Sequence, residues 1–160
     1  LVGAAQMGMK FRLAAPAALQ PEPTILGRCL EIASATGADL RITADLAEAV
    51  EGADFVYTDV WVSLGESDTV WEERIKLLEP YRVTSDLLTR AGNPDVKFMH
   101  CLPAFHNRET KVGEDIYQKY GLTAMEVTED VFESDASIVF DQAENRMHTI
   151  KAVLVATLGT

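Results

Sequence analysis

Short apolar runs alternate with amphipathic stretches along the whole chain, and this alternation most constrains the fold. KFRLAAP, DLRIT, ADFVYTDV, VKFMHC and ASIVFDQ read as strands. ADFVYTDV has the apolar continuity of a strand covered on both faces. Between them lie helical segments. LVGAAQMGM precedes the first strand, and TILGRCLEIASAT is ended by Gly37, as a C-terminal glycine would end it. Asp45 caps LAEAVEG. Ser67 or Asp68 caps a helix over 69–78, which Pro80 closes. Further helices are predicted over 85–90 and 113–120. MEVTEDVFES reads as a short strand and a short helix, and Asn145 caps the final helix RMHTIKAVLVATL. Strands alternating with helices predict an α/β fold: a Rossmann-like, doubly wound parallel sheet forming one domain over residues 1–160.

The 160 residues carry a net charge of −11 and no basic stripe, which argues against nucleic acid as a partner. No apolar run approaches membrane-spanning length, so no membrane partner is expected. Cys29 and Cys101 are too few for a disulfide framework, and a reduced, cytoplasmic protein is the expectation. The first residue is Leu, and LVGAAQMGM reads as the body of a helix with no cap before it. The expectation is a processed or truncated piece of a longer chain.

In doubly wound sheets, ligands bind beyond the carboxyl ends of the strands. Three clusters lie just after strands. In FMHCLPAFH, a proline follows the strand and disfavours helix at Leu102, which would leave the Cys101 and Leu102 carbonyls free to accept from a ligand NH₂ group. Read from spacing alone, a small buried Cys101 explains the cluster equally well. A metal site is disfavoured, because His100 and Cys101 are strand neighbours that point to opposite faces. In DVWVSLGE, Asp59 and Ser63 offer a carboxylate and a hydroxyl suited to an ammonium group, and Trp61 could wall the site. A solvated loop is the alternative. In DQAENRMH, Arg146 could present its planar fork to a carbonyl or phosphate oxygen, against the alternative of a surface pair with Asp141 or Glu144. His106 and Asn107 carry no role that spacing reveals. Gly3 and Gly8 do not make the dinucleotide-binding glycine pattern, and no Walker phosphate loop is present. No cofactor and no metal are expected.

FMHCLPAFH, DVWVSLGE and DQAENRMHTIKA together resemble ornithine carbamoyltransferase over essentially the whole chain, with HCLP and D-x-x-x-S-[ML]-G as the specific motifs. The resemblance implies the second, ornithine-binding domain of a two-domain carbamoyltransferase, with the carbamoyl-phosphate-binding domain outside this chain. It implies transfer of a carbamoyl group from carbamoyl phosphate to the δ-amine of L-ornithine, giving citrulline and phosphate, in arginine biosynthesis or the arginine deiminase pathway. It also implies roles. Asp59 and Ser63 would hold the amino acid, with the Leu64 backbone at its carboxylate. Cys101 with Asp59 would lie near the δ-amine. The Cys101 and Leu102 carbonyls and Arg146 would hold the carbamoyl group. Complete relatives are expected to be homo-oligomers, usually trimers or multiples of trimers. Leu64 stands where many relatives have Met, and the phosphate-binding S-x-R-T-R loop is not in this sequence. The expectation is a chain with little or no activity by itself. Its final helix would lack its partner and expose apolar surface, shift, or exchange with another copy. The alternatives are a non-catalytic amino-acid-binding module and a carbamoyltransferase for another amine such as putrescine.

Overall fold

The computed structural model describes residues 1–62 and 68–159, without the side chain of Asp68. Two compact units follow one another along the chain, Leu1–Gly52 and Ala53–Thr160.

The first unit holds α1 (Val2–Gln6), β1 (Lys10–Ala14), α2 (Pro23–Thr36), β2 (Asp39–Thr43) and α3 (Leu46–Val50). β1 and β2 pair in parallel from Lys10↔Asp39 to Ala14↔Thr43, so α2 is the crossover that parallel pairing requires. Gly37 ends α2 in the left-handed conformation at φ 80°, as expected. Gly8 is needed twice over. Its φ is 67°, and a Cβ there would lie 3.1 Å from the Thr36 carbonyl oxygen. Cys29, Ala33 and Val50 are buried between these elements. The Asp45 side chain accepts from the amides of Ala47 and Glu48 and starts α3. Arg12 on β1 finishes it: Nη1 donates to the carbonyls of Glu48, Ala49 and Glu51 at 3.0, 3.3 and 2.5 Å.

The second unit holds β3 (Phe55–Thr58), α4 (Trp71–Leu78), α5 (Ser85–Arg90), β4 (Lys97–His100), α6 (Lys111–Tyr120), α7 (Glu129–Phe132) and α8 (Val139–Leu158). β3 and β4 pair in parallel from Phe55↔Lys97 to Thr58↔His100. Residues 136–138 flank the other edge of β4: Phe98 N–H donates to the Ala136 carbonyl, and Ile138 N–H to that of Phe98. Val83 bridges Val127 in parallel. One core gathers Trp61, Val62, Trp71, Ile75, Ile116 and Met125.

The parallel α/β class is therefore as the alternation predicts. Among the described residues its ladders form two two-stranded sheets, β1-β2 and β3-β4. Several expectations change, and the short strand expected in MEVTEDVFES is only the bridge at Val127. ASIVFDQ contributes only the bridge at Ser137 before turning helical, and α8 begins at Val139 rather than after Asn145. Gln142, Ala143 and Glu144 are good helix formers, and Asp141 sits in the first turn where its charge suits the helix dipole. α6 begins at Lys111, ahead of Gly113, because the Thr110 hydroxyl caps it by accepting from the Gly113 amide. β3 is buried on one face only. Val56 is 9% exposed, whereas Phe55 and Tyr57 are 59% and 55% exposed. Aromatic residues favour strands whether or not their face is covered, so composition did not separate the two cases.

On α8, Met147, Ile150, Val153, Leu154, Val155 and Leu158 are all exposed, while the start of the helix lies against β4. Among the described residues no helix is long and apolar enough to cross a membrane.

Candidate active site

The β3-β4 register builds the site. Thr58 lies opposite His100, so the next residues along, Asp59 and Cys101, leave the strand tips side by side. Side chains alternate along strands, which puts Tyr57, Asp59, Met99 and Cys101 on one face and His100 on the other. Cys101 Sγ donates to Asp59 Oδ1 at 2.9 Å. The same carboxylate oxygen accepts the Val60 amide at 2.7 Å. Burial pushes the Cys101 thiol up to about 11, and the hydrogen bond and negative charge of Asp59 add to this, partly offset by backbone hydrogen bonds. Burial also raises the Tyr57 phenol, reinforced by the charges of Cys101 and Asp59. Gln142, in the first turns of α8, accepts the His100 amide through Oε1 at 3.1 Å.

A thiol held in this way is a proton reservoir rather than a nucleophile, since the thiolate is the reactive form. Alkylation of Cys101 is expected to accelerate about tenfold per pH unit through neutral pH, as the thiolate fraction grows. The profile should bend near pH 11, where the thiol titrates. A rate profile with iodoacetamide that levels off at or below pH 9 would contradict the arrangement. Cys29 is fully buried and supplies the internal control.

On the opposite face, His100 is 1% and Glu126 0% exposed. His100 Nε2 lies 3.3 Å from Glu126 Oε1. The ring's Nδ1 donates to the Cys101 carbonyl. That carbonyl is thus already engaged, which corrects the expectation that it lies free. Glu126 Oε1 also accepts the Phe105 amide at 2.6 Å, so the buried carboxylate anchors the loop after the strand. Leu102 is half-exposed, and its peptide bond to Pro103 is cis.

His106 fastens the same loop from outside. Its Nδ1 donates to Glu129 Oε2 at 2.5 Å, and its ring stacks on Phe132 at 3.7 Å between centroids, tilted by 6°. Asn107 Nδ2 donates to Glu129 Oε1 at 3.3 Å. His106, Glu129 and Glu133 bring ligand atoms within 4.8 Å of one another, close enough for one divalent ion. Glu129 is already occupied by His106 and Asn107, however, and exposed acidic groups of this kind are common without an ion.

The structure thus brings Asp59 and Cys101 together. Arg146 is exposed on α8, one turn beyond Gln142 and on the same face of the helix. The alternative pairing of Glu144 goes instead to His148, at 3.8 Å. Ser63 and Leu64 lie outside the described residues. Trp61 does not wall the site. It is 5% exposed within the core, with the Arg82 guanidinium 5.6 Å from its ring. Sequence reasoning missed Tyr57, Gln142 and Glu126. Tyr57 was within reach, because it stands two residues before Asp59 and so shares its face.

Comparison with known proteins gives one answer. Residues 1–157 match the family described as aspartate/ornithine carbamoyltransferase, Asp/Orn binding domain. The chain is 60% identical over 159 residues to the catabolic ornithine carbamoyltransferase 1 of Streptococcus agalactiae, covering 99% of this chain and 48% of that protein. It spans about half the length of the curated relatives it matches. The ornithine carbamoyltransferase structure from Pyrococcus furiosus matches with a TM-score of 0.76 at 37% identity, over 94% of this chain and 42% of that one. The anabolic enzyme from Campylobacter jejuni matches with a TM-score of 0.77 at 31% identity, over 94% and 44%. Strand tips that join a carboxylate to a thiol, the HCLP loop behind them and these likenesses agree: the chain belongs to the aspartate/ornithine carbamoyltransferase family, as its Asp/Orn binding domain.

Proposed function

We propose that this chain is the amino-acid-binding half of an ornithine carbamoyltransferase. It receives L-ornithine, whose δ-amine attacks the carbamoyl carbon of carbamoyl phosphate to give citrulline and phosphate. The observation that carries the reading is the Cys101–Asp59 pair at the strand tips. An amine must be neutral to attack, and an adjacent carboxylate is a suitable acceptor for its proton. Asp59 takes that position, and the family likeness assigns Ser63 and the Leu64 backbone to holding the amino acid. Arg146 and the Leu102 carbonyl polarise and orient the carbamoyl group. The Cys101 carbonyl keeps a second lone pair for the same task. The carbamoyl-phosphate-binding half lies outside these residues, and the complete enzyme is a homo-oligomer.

Positioning of two substrates supplies much of the rate of such a transfer, so the chain alone forms citrulline at least about 10⁵-fold more slowly than the complete enzyme. The direct test is a titration of the chain with L-ornithine, putrescine and L-aspartate, followed by NMR signals of Asp59, Cys101 and their neighbours. Ornithine should bind in the millimolar range and shift these signals, with the other two ligands weaker. Preference for putrescine would favour a carbamoyltransferase acting on a diamine. Micromolar ornithine affinity would favour a self-sufficient binding module. No shift at the site with any ligand would overturn the proposal.

A further inference from the structure

We infer that Gln142 is a positioning residue: its side chain replaces a strand carbonyl at the tip of β4, and so ties the first turns of α8, with Arg146, to the Cys101 end of the strand. This rests on the carbamoyl-holding role proposed above for Arg146 and the Cys101 and Leu102 carbonyls, and it adds a side chain outside that set.

The local register shows the replacement. Amides alternate between the two edges of a strand. The Lys97 amide donates to Asp54, on the β3 side, so those of Phe98 and His100 face residues 136–138. Phe98 and Ser137 form a parallel bridge there: the Phe98 amide donates to Ala136, and the Ile138 amide to Phe98. The next rung of such a ladder would carry the His100 amide to the Ile138 carbonyl. That carbonyl is taken. The chain turns helical at Val139, and Ile138 accepts the Gln142 amide at 2.9 Å in the first turn of α8. His100 is 1% exposed, and an orphaned N–H at such a place is costly. Gln142 Oε1 fills the rung instead, accepting the His100 amide at 3.1 Å. One residue thus occupies the ladder's carbonyl with its backbone and replaces it with its side chain.

The bond joins α8 to the residue immediately before Cys101. Arg146 stands one turn beyond Gln142 on the same face of the helix. Cys101 is held independently, its thiol by Asp59 Oδ1 at 2.9 Å and its carbonyl by the His100 ring. Without the Gln142 bond, the start of α8 is free to slide on the strand tip. Arg146 then moves with the helix, while Cys101 stays bonded to Asp59. A misplacement of about 1 Å can cost on the order of 10²-fold in rate, so the partial slip allowed by one missing hydrogen bond should cost about tenfold.

The test has two arms. In the chain itself, hydrogen exchange of the His100 amide is compared with that of Phe98, whose acceptor is the Ala136 backbone. Gln142→Met keeps the side-chain length and removes the acceptor, so His100 should exchange about fivefold faster relative to Phe98. Gln142→Glu keeps an acceptor oxygen and should hold exchange within about twofold of the unsubstituted chain. In the complete enzyme, Gln142→Met should lower kcat about tenfold and change KM for ornithine by less than about threefold. Gln142→Glu should restore kcat to within about threefold of normal. Arg146→Ala alone should lower kcat by at least about 10²-fold. Because Gln142 acts through Arg146, adding Gln142→Met to Arg146→Ala should cost less than about twofold more. A general weakening of the helix start would instead lower kcat equally in both backgrounds, and that result overturns the inference. Unchanged His100 exchange, or kcat within about twofold of normal, in Gln142→Met overturns it as well. If Gln142→Met does not fold, as read by circular dichroism, Gln142→Asn, whose oxygen stops one carbon short, takes its place with the same expectations. Normal turnover in Arg146→Ala would count instead against the role of Arg146, and so against the proposed function.

Discussion

Glu126→Ala is expected to lower the thermal midpoint of the Ala53–Thr160 unit by more than about 10 °C, the largest stability loss of any single substitution around the HCLP loop. Glu126 is wholly buried, and one of its oxygens accepts the Phe105 amide at 2.6 Å and lies 3.3 Å from His100 Nε2. Truncation leaves the buried Phe105 N–H without its acceptor and opens a void beside the His100 ring. A lost buried acceptor together with the cavity left behind typically costs about 3–5 kcal/mol. Glu126→Gln keeps an acceptor for the Phe105 amide and should lose less than half as much. A calorimetric scan in which Glu126→Ala melts within about 2 °C of the unsubstituted chain would show that the loop is anchored elsewhere.

Asp59→Asn should produce the largest loss of activity in the complete enzyme, with kcat/KM for ornithine falling by about 10²–10⁴-fold. Asparagine has the same size as aspartate but offers one acceptor oxygen and no charge to receive a proton. Asp59 is exposed, so stability should change by no more than about 0.5 kcal/mol, and the two effects separate cleanly. Steady-state citrulline assays on a complete enzyme carrying this substitution would settle the matter. Turnover within threefold of normal would remove Asp59 from the reaction.

Much of the fold was legible because it rests on local rules. Gly37, Asp45 and the short helix over 85–90 are set by residues within a turn of where they act, and the structure keeps them. The pairing of Asp59 with Cys101 spans 42 residues, yet the general rule that sites form at strand ends led to it. What stayed hidden depends on partners far along the chain with no repeating pattern. Nothing near His100 announces Glu126 or Gln142. The exposure of Phe55 and Tyr57 is likewise a property of what covers the strand, which its own letters do not carry. The start of α8 was misplaced because VFDQ reads equally well as strand or helix, and the bridge at Ser137 ends pairing sooner than the apolar run suggests. Ser63 and Leu64 fall outside the described residues, so their part in the site rests on the family likeness.

The hold of Arg12 on the end of α3 reaches beyond capping. A helix of five residues has too few internal bonds to outlast the cost of its own nucleation. By gripping three of its carbonyls from a neighbouring strand, the guanidinium makes helix and strand a single cooperative unit. That part of the chain therefore opens in one event, and amides in the helix and the strand share one rate of exchange with solvent.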